Sequence, residues 1–164
     1  MHQRATSNLV RAAAIAAALL SALAAGTFAA RAADAPPSKA EQAIKYRQSV
    51  YKVILWNFGP VAAMAQGKIP YDAQAFAHHA QRVATMAPML LEGYPEGSDS
   101  GAKTRARPEI WQNKAEFTEL MHTMKEKTAT LAAVAKEGDF EKSKAAFGEA
   151  ASACKACHEK YRTD

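Results

Sequence analysis

The chain has 164 residues, enough for one domain with a proper core. Its formal net charge is +5, but Arg4, Arg11 and Arg31 supply three of the 21 basic residues and residues 1–32 hold none of the 16 acids. The remainder therefore carries +2, and the basic balance of the whole chain is excluded as a sign of nucleic-acid binding.

The first 32 residues read as a signal peptide. Arg4 and Arg11 form a basic start, Ala12 to Ala25 is an uncharged alanine-rich run, and Ala30–Arg31–Ala32 supplies a small-residue cleavage site. The apolar run is short for a membrane span. Cleavage is expected near Ala32, which exports residues 33–164 as a soluble domain with no membrane anchor.

After a short leader to Pro37, Ser38 and Glu41 form a capping box that opens a first helix. Ile44, Tyr51, Ile54, Leu55, Phe58, Val61, Ala62 and Ala65 recur at helical period. Pro60 predicts a kink, or a break where packing does not compensate, and Gly67 ends the helix. Asp72 caps a second helix, with Phe76, Ala80, Val83, Ala84, Ala87 and Leu91 on one face and Pro88 near its end. His78 and His79 point in different directions and read as rim histidines, because metal sites need several converging ligands.

Residues 92–107 are the one long irregular stretch, rich in Gly and Ser, with Lys103, Arg105 and Arg107 in its second half. Loops of this length inside a compact domain are usually functional or disordered. One or two of these cations are expected to meet anionic groups. Pro108 opens a third helix with Ile110, Phe117, Met121, Met124, Leu131 and Val134 inward, the methionines read as core filler. Gly138 closes it and Asp139 caps the next.

The fourth helix carries Phe140, Lys144, Phe147, Ala151, Cys154, His158 and Tyr161 as a heptad-like stripe. Within it stands Cys154–Lys155–Ala156–Cys157–His158, the attachment signature of a c-type haem. On a helix Cys154 and Cys157 share a face, so both thiols can hold one porphyrin while His158 ligates the iron. A thioredoxin-like pair would need a preceding strand, a zinc site a fourth ligand, and a disulfide an awkward geometry. Both cysteines of the chain lie in this motif, so an oxidising compartment leaves no stray thiol. The predicted fold is all-α: an antiparallel up-and-down four-helix bundle enclosing one covalently bound haem c.

Cys154–Arg162 on the last helix of an exported bundle resembles cytochrome c′. So do Lys45–Gln48, Pro70–Asp72 and Lys103–Trp111, and the resemblance covers nearly all of residues 33–164. It implies a periplasmic protein with a five-coordinate, high-spin iron whose sole protein ligand is His158. It further implies Arg47, Gln48 and Thr104 near the haem propionates, Arg162 beside His158 on the proximal face, and Tyr51 at the distal position. Nitric oxide and carbon monoxide are the implied ligands, with electron transfer as a further implied role and a homodimer through helices one and two.

Low-spin relatives carry a methionine where this chain has Tyr51, and they act as plain electron carriers. A neutral phenol is a poor ligand for ferrous iron, although tyrosinate binds ferric haem in catalases. Tyr51 is therefore read as a bulky gate over an open site. Three functions remain: a diatomic-gas binder, an electron carrier steered by Lys155, Lys160 and the loop lysine toward an unidentified acidic redox partner, and a haem enzyme. The enzyme would need a distal acid–base pair, for which only His122 offers itself, so no enzymatic activity is expected.

Overall fold

Ser38 opens the first helix, α1 (Lys39–Ala65), and its hydroxyl accepts from the Glu41 amide at 3.1 Å. The computed structural model describes residues 36–163, so the expected signal peptide and most of the leader lie outside the described residues. Glu41 turns to Lys45 one turn on, at 2.8 Å, rather than back toward the cap. The helix runs through Pro60 without breaking. The carbonyl that proline deprives of a partner belongs to Trp56, a residue 78% exposed, where water can take that bond. Gly67 at φ 70° then ends α1: the amides of Gly67 and Lys68 return to the carbonyls of Met64 and Ala63 at 3.0 and 2.9 Å.

Asp72 caps α2 (Ala73–Met86), accepting from the Ala75 amide at 2.9 Å. The chain then tightens into a 3₁₀ turn over Ala87–Gly93, with Pro88 in its first turn. The expected single third helix is two. A short α3 (Glu109–Gln112) is broken at Asn113, whose φ of −120° lies outside the helical range, before α4 (Lys114–Ala135). The Asn113 side chain donates to the Glu109 carbonyl at 3.3 Å, the local competition for backbone groups by which asparagine interrupts helices. Gly138 at φ 74° and Asp139, which accepts from the Lys142 amide at 3.0 Å, then start α5 (Phe140–Tyr161).

Packing follows chain order: α1 on α2, α2 on α4, and α4 on α5, as in an up-and-down bundle. The remaining seam, between α1 and α5, is the loosest of the four. Among the described residues there is no strand, only one bridge between Ala106 and Arg162, and no helix is long and apolar enough to cross a membrane. One apolar cluster around Val61, Phe76, Leu131 and Ala150 fills one end of the bundle. A second, around Val50, Leu90, Tyr94, Phe117, Met121 and Cys157, fills the other.

The buried line of α5 is rotated from the expected stripe. It is Ser143, Ala150, Cys157 and Tyr161, with Phe147, Cys154 and His158 at its margin and Lys144 exposed. Small side chains at Ser143 and Ala150 let α5 approach its neighbours, so the larger residues sit at the edges of the contact.

Gly93 is where the 3₁₀ turn crosses α1. A methyl group there would meet the Arg47 Cβ at 2.5 Å and the Arg47 Cα at 3.1 Å, a collision with a helix and not with a flexible tip. Gly93→Ala is expected to destabilise the fold by about 1–3 kcal/mol, as overpacking generally does. Urea unfolding of the haem-loaded protein measures this, and an unchanged midpoint would contradict the close approach.

Candidate functional site

Cys154 and Cys157 lie one turn apart on α5 as free thiols, Cys157 buried and Cys154 half-buried, both against the second apolar cluster. Burial, and secondarily the neighbouring Cys154, pushes the Cys157 thiol up to about 11, and burial raises that of Cys154. Reactive redox cysteines and zinc thiolates need the opposite shift. Among the described residues no group of three or more His, Cys, Asp and Glu could hold a metal ion.

His158 is half-buried beside Cys157, and its Nδ1 stands 3.1 Å from Arg162 Nη1. A guanidinium only donates, so Nδ1 is the acceptor and the ring proton sits on Nε2. Burial, then the charges of Arg162 and Arg105, lowers the pKa of this imidazole and favours its neutral form. Arg162 is exposed, and its amide also closes the helix on the His158 carbonyl at 3.1 Å.

Across the loose seam, Tyr51 of α1 packs on the same cluster as both thiols. Its hydroxyl lies 3.3 Å from that of Tyr94. Burial holds the Tyr51 phenol well above its ordinary pKa, with Tyr94 adding to the shift. Met121 and Met124 belong to this cluster as buried core side chains of α4, while His122 is exposed on the opposite side. His78 is exposed, and His79 meets Asn57 Oδ1 at 3.0 Å through Nδ1, a rim position as expected.

Arg47 is 2% exposed and holds the irregular segment in place. Nη1 donates to the Gly93 carbonyl at 3.0 Å and the Ser98 hydroxyl at 3.1 Å, and Nη2 to the Ser98 carbonyl at 2.8 Å and Thr104 Oγ1 at 3.1 Å. Its carbon lies 4.8 Å from the centre of the Tyr94 ring and 5.5 Å from that of Trp111. Next to it, Gln48 Nε2 donates to the Lys103 carbonyl at 2.8 Å. Arg105 and Arg107 stitch the segment to the chain end: Arg105 Nε reaches the Thr163 carbonyl and the Arg107 amide the Tyr161 carbonyl, both at 3.0 Å. Arg47 and Gln48 thus both hold the segment around Thr104, Arg47 through the Thr104 hydroxyl and Gln48 through the Lys103 carbonyl. Tyr94 and Glu116, which accepts from Tyr161 at 3.1 Å, were not singled out. For Tyr94 the one available signal was a large aromatic inside an otherwise polar, Gly-rich stretch.

Two thiols on one face, an adjacent neutral imidazole and an apolar, aromatic-rich seam fit a covalently held porphyrin. A Cys–x–x–Cys–His motif at that place in a four-helix bundle defines a c-type cytochrome of the helical-bundle class. The chain belongs to the cytochrome c′ family, whose sequence profile matches residues 42–162. Cytochrome c′ of Rubrivivax gelatinosus is 41% identical over 124 residues, covering 76% of this chain and 96% of the relative. The solved cytochrome c prime of Shewanella frigidimarina is 38% identical with a TM-score of 0.74, covering 77% of this chain and 98% of that one. A nitric oxide complex of a variant of cytochrome c prime from Alcaligenes xylosoxidans is 33% identical with a TM-score of 0.71, at 77% and 98% coverage. The family binds haem c.

Arg47→Ala would leave the Gly93 and Ser98 carbonyls without their donors and open a gap under Tyr94. A loss of about 3 kcal/mol or more is expected, since buried polar groups left unpaired cost most. Urea unfolding checks it; a change below about 1 kcal/mol would show that solvent replaces these bonds.

Proposed function

We propose that this protein is a periplasmic haem protein that captures small neutral diatomics, nitric oxide and carbon monoxide foremost, at an iron open on one side. Haem c would be held by Cys154 and Cys157 with His158 as the axial ligand, and its iron supplies the coordination position that the diatomic takes. The observation that carries the reading is Tyr51: a neutral, partly buried phenol on α1, across the loose seam from both thiols. A phenol is already protonated at neutral pH and burial raises its pKa further, which supports a cover that does not ligate. Val50 and Ile54, its neighbours on α1 in the same cluster, carry no ligating atom, and Leu55 is exposed. The methionines of the cluster come from other elements than α1.

The remaining roles follow from placement. Arg47 is a buried cation whose four acceptors are all neutral, which supports a position for anionic propionates beside the network of Arg47, Gln48 and Thr104. Arg162 acts on the proximal side. With Nε2 holding the iron, His158 would carry its ring proton on Nδ1, so Arg162 could no longer donate to that atom and would be available to a group near the imidazole. The nitric oxide complex of the Alcaligenes relative supports the choice of ligand. Export through a signal peptide of residues 1–32 accounts for the oxidised, haem-attaching compartment.

A homodimer through α1 and α2 is part of the same reading. Leu55 and Trp56 are 71% and 78% exposed, and with Lys52, Pro60 and His79 they line a shallow groove of about 560 Å³. An apolar patch of this kind on α1 is what a second copy would cover.

Tyr51→Ala is expected to raise the rate of carbon monoxide association by about tenfold or more, since each 1.4 kcal/mol removed from a barrier is worth that factor. Flash photolysis of the reduced protein measures it, and unchanged kinetics would assign the cover to another residue. Trp56→Glu is expected to convert the dimer to monomer in analytical ultracentrifugation; a wild type that sediments as a monomer contradicts the interface.

A further inference from the structure

The reading of Tyr51 as the cover leaves open what keeps that cover closed, and the inference rests on that reading. We propose that Tyr94 is a positioning residue that latches Tyr51 through its hydroxyl. The two phenol oxygens are 3.3 Å apart, long for an O–H···O bond, which makes this a contact that side-chain motion can open and close.

Tyr94 is the fixed member of the pair. Its side chain is 5% exposed, and Phe117 meets it edge-on with ring centres 4.8 Å apart. Arg47 lies over its face, and the Lys114 ammonium donates to its backbone carbonyl. Gly93, immediately before it, lets the turn press against α1 at Arg47, one helical turn from Tyr51. Tyr51 is only partly buried, so it is the member with room to turn.

Either hydroxyl could be the donor of this bond; the Arg47 cation over the Tyr94 ring favours Tyr94, whose proton would then point at the Tyr51 oxygen. The Tyr51 proton is then left to turn toward a bound diatomic once the ring has swung aside. Tyr94 thereby acts twice on the ligand, once as resistance to entry and once through the orientation of the one distal hydroxyl.

The test uses haem-loaded Tyr94→Phe, Tyr51→Phe and the double variant, each keeping its ring and therefore its packing. Removing the latch from either side is expected to speed carbon monoxide association about two- to tenfold, the worth of one neutral hydrogen bond. The double variant should be no faster than the singles. The stretching frequency of bound carbon monoxide should also shift in Tyr94→Phe, which a merely structural role would not cause. Tyr51→Phe accelerating while Tyr94→Phe leaves rate and frequency unchanged would overturn the latch and leave the cover standing. Additive accelerations would equally overturn it, because Tyr94 would then act by packing alone. Should neither phenylalanine variant respond, the latch is wrong, and the rate in Tyr51→Ala decides separately whether the cover is wrong as well.

Discussion

One buried charge organises the half of the bundle where the site lies. The Arg47 guanidinium cannot shed its proton, so its burial on α1 demands acceptors, and the segment after α2 is folded to provide them. The carbonyls of Gly93 and Ser98 and the hydroxyls of Ser98 and Thr104 answer that demand, and aromatic faces of Tyr94 and Trp111 cover what remains. The same wrapping delivers Tyr94 to Tyr51 and lays residues 105–107 along the end of α5. Fold and candidate site are therefore not separable at this end: the loop that satisfies Arg47 also carries Tyr94 against Tyr51.

The opposite wall is set by α5. Ser143 and Ala150 let that helix pack tightly, which fixes the rotation at which Cys157 turns inward and Cys154 and His158 stay at the margin. That rotation matters chemically, because a motif turned outward would leave the thiols off the apolar seam.

Much of this was legible in the sequence. Ser38, Asp72, Gly67, Gly138 and Asp139 mark helix ends through purely local chemistry, so reading them needs no knowledge of the rest of the fold. The haem motif was legible because its spacing is set by one helical turn. What the sequence did not give up depends on contacts distant in the chain. The break at Asn113 competes with an otherwise unbroken helical pattern, and it is allowed by the docking of Lys114 on Tyr94. The rotation of α5 was misjudged because large apolar residues outrank serine and alanine in any stripe drawn by hydrophobicity. The partnership of Arg47 with Ser98 and Thr104 joins positions far apart in the chain, so no local pattern announces it.

The proposed gas binding requires an open position under Tyr51. With His158 as its one protein ligand the iron would keep that position free, whereas a methionine or tyrosinate from this chain would close it and make the protein a plain electron carrier. Resonance Raman and optical spectra of the reduced, haem-loaded protein at neutral pH test this most directly. The expected result is a five-coordinate, high-spin ferrous iron that becomes six-coordinate and low-spin when carbon monoxide is added. A ferrous spectrum that is six-coordinate and low-spin before any ligand is added would contradict it.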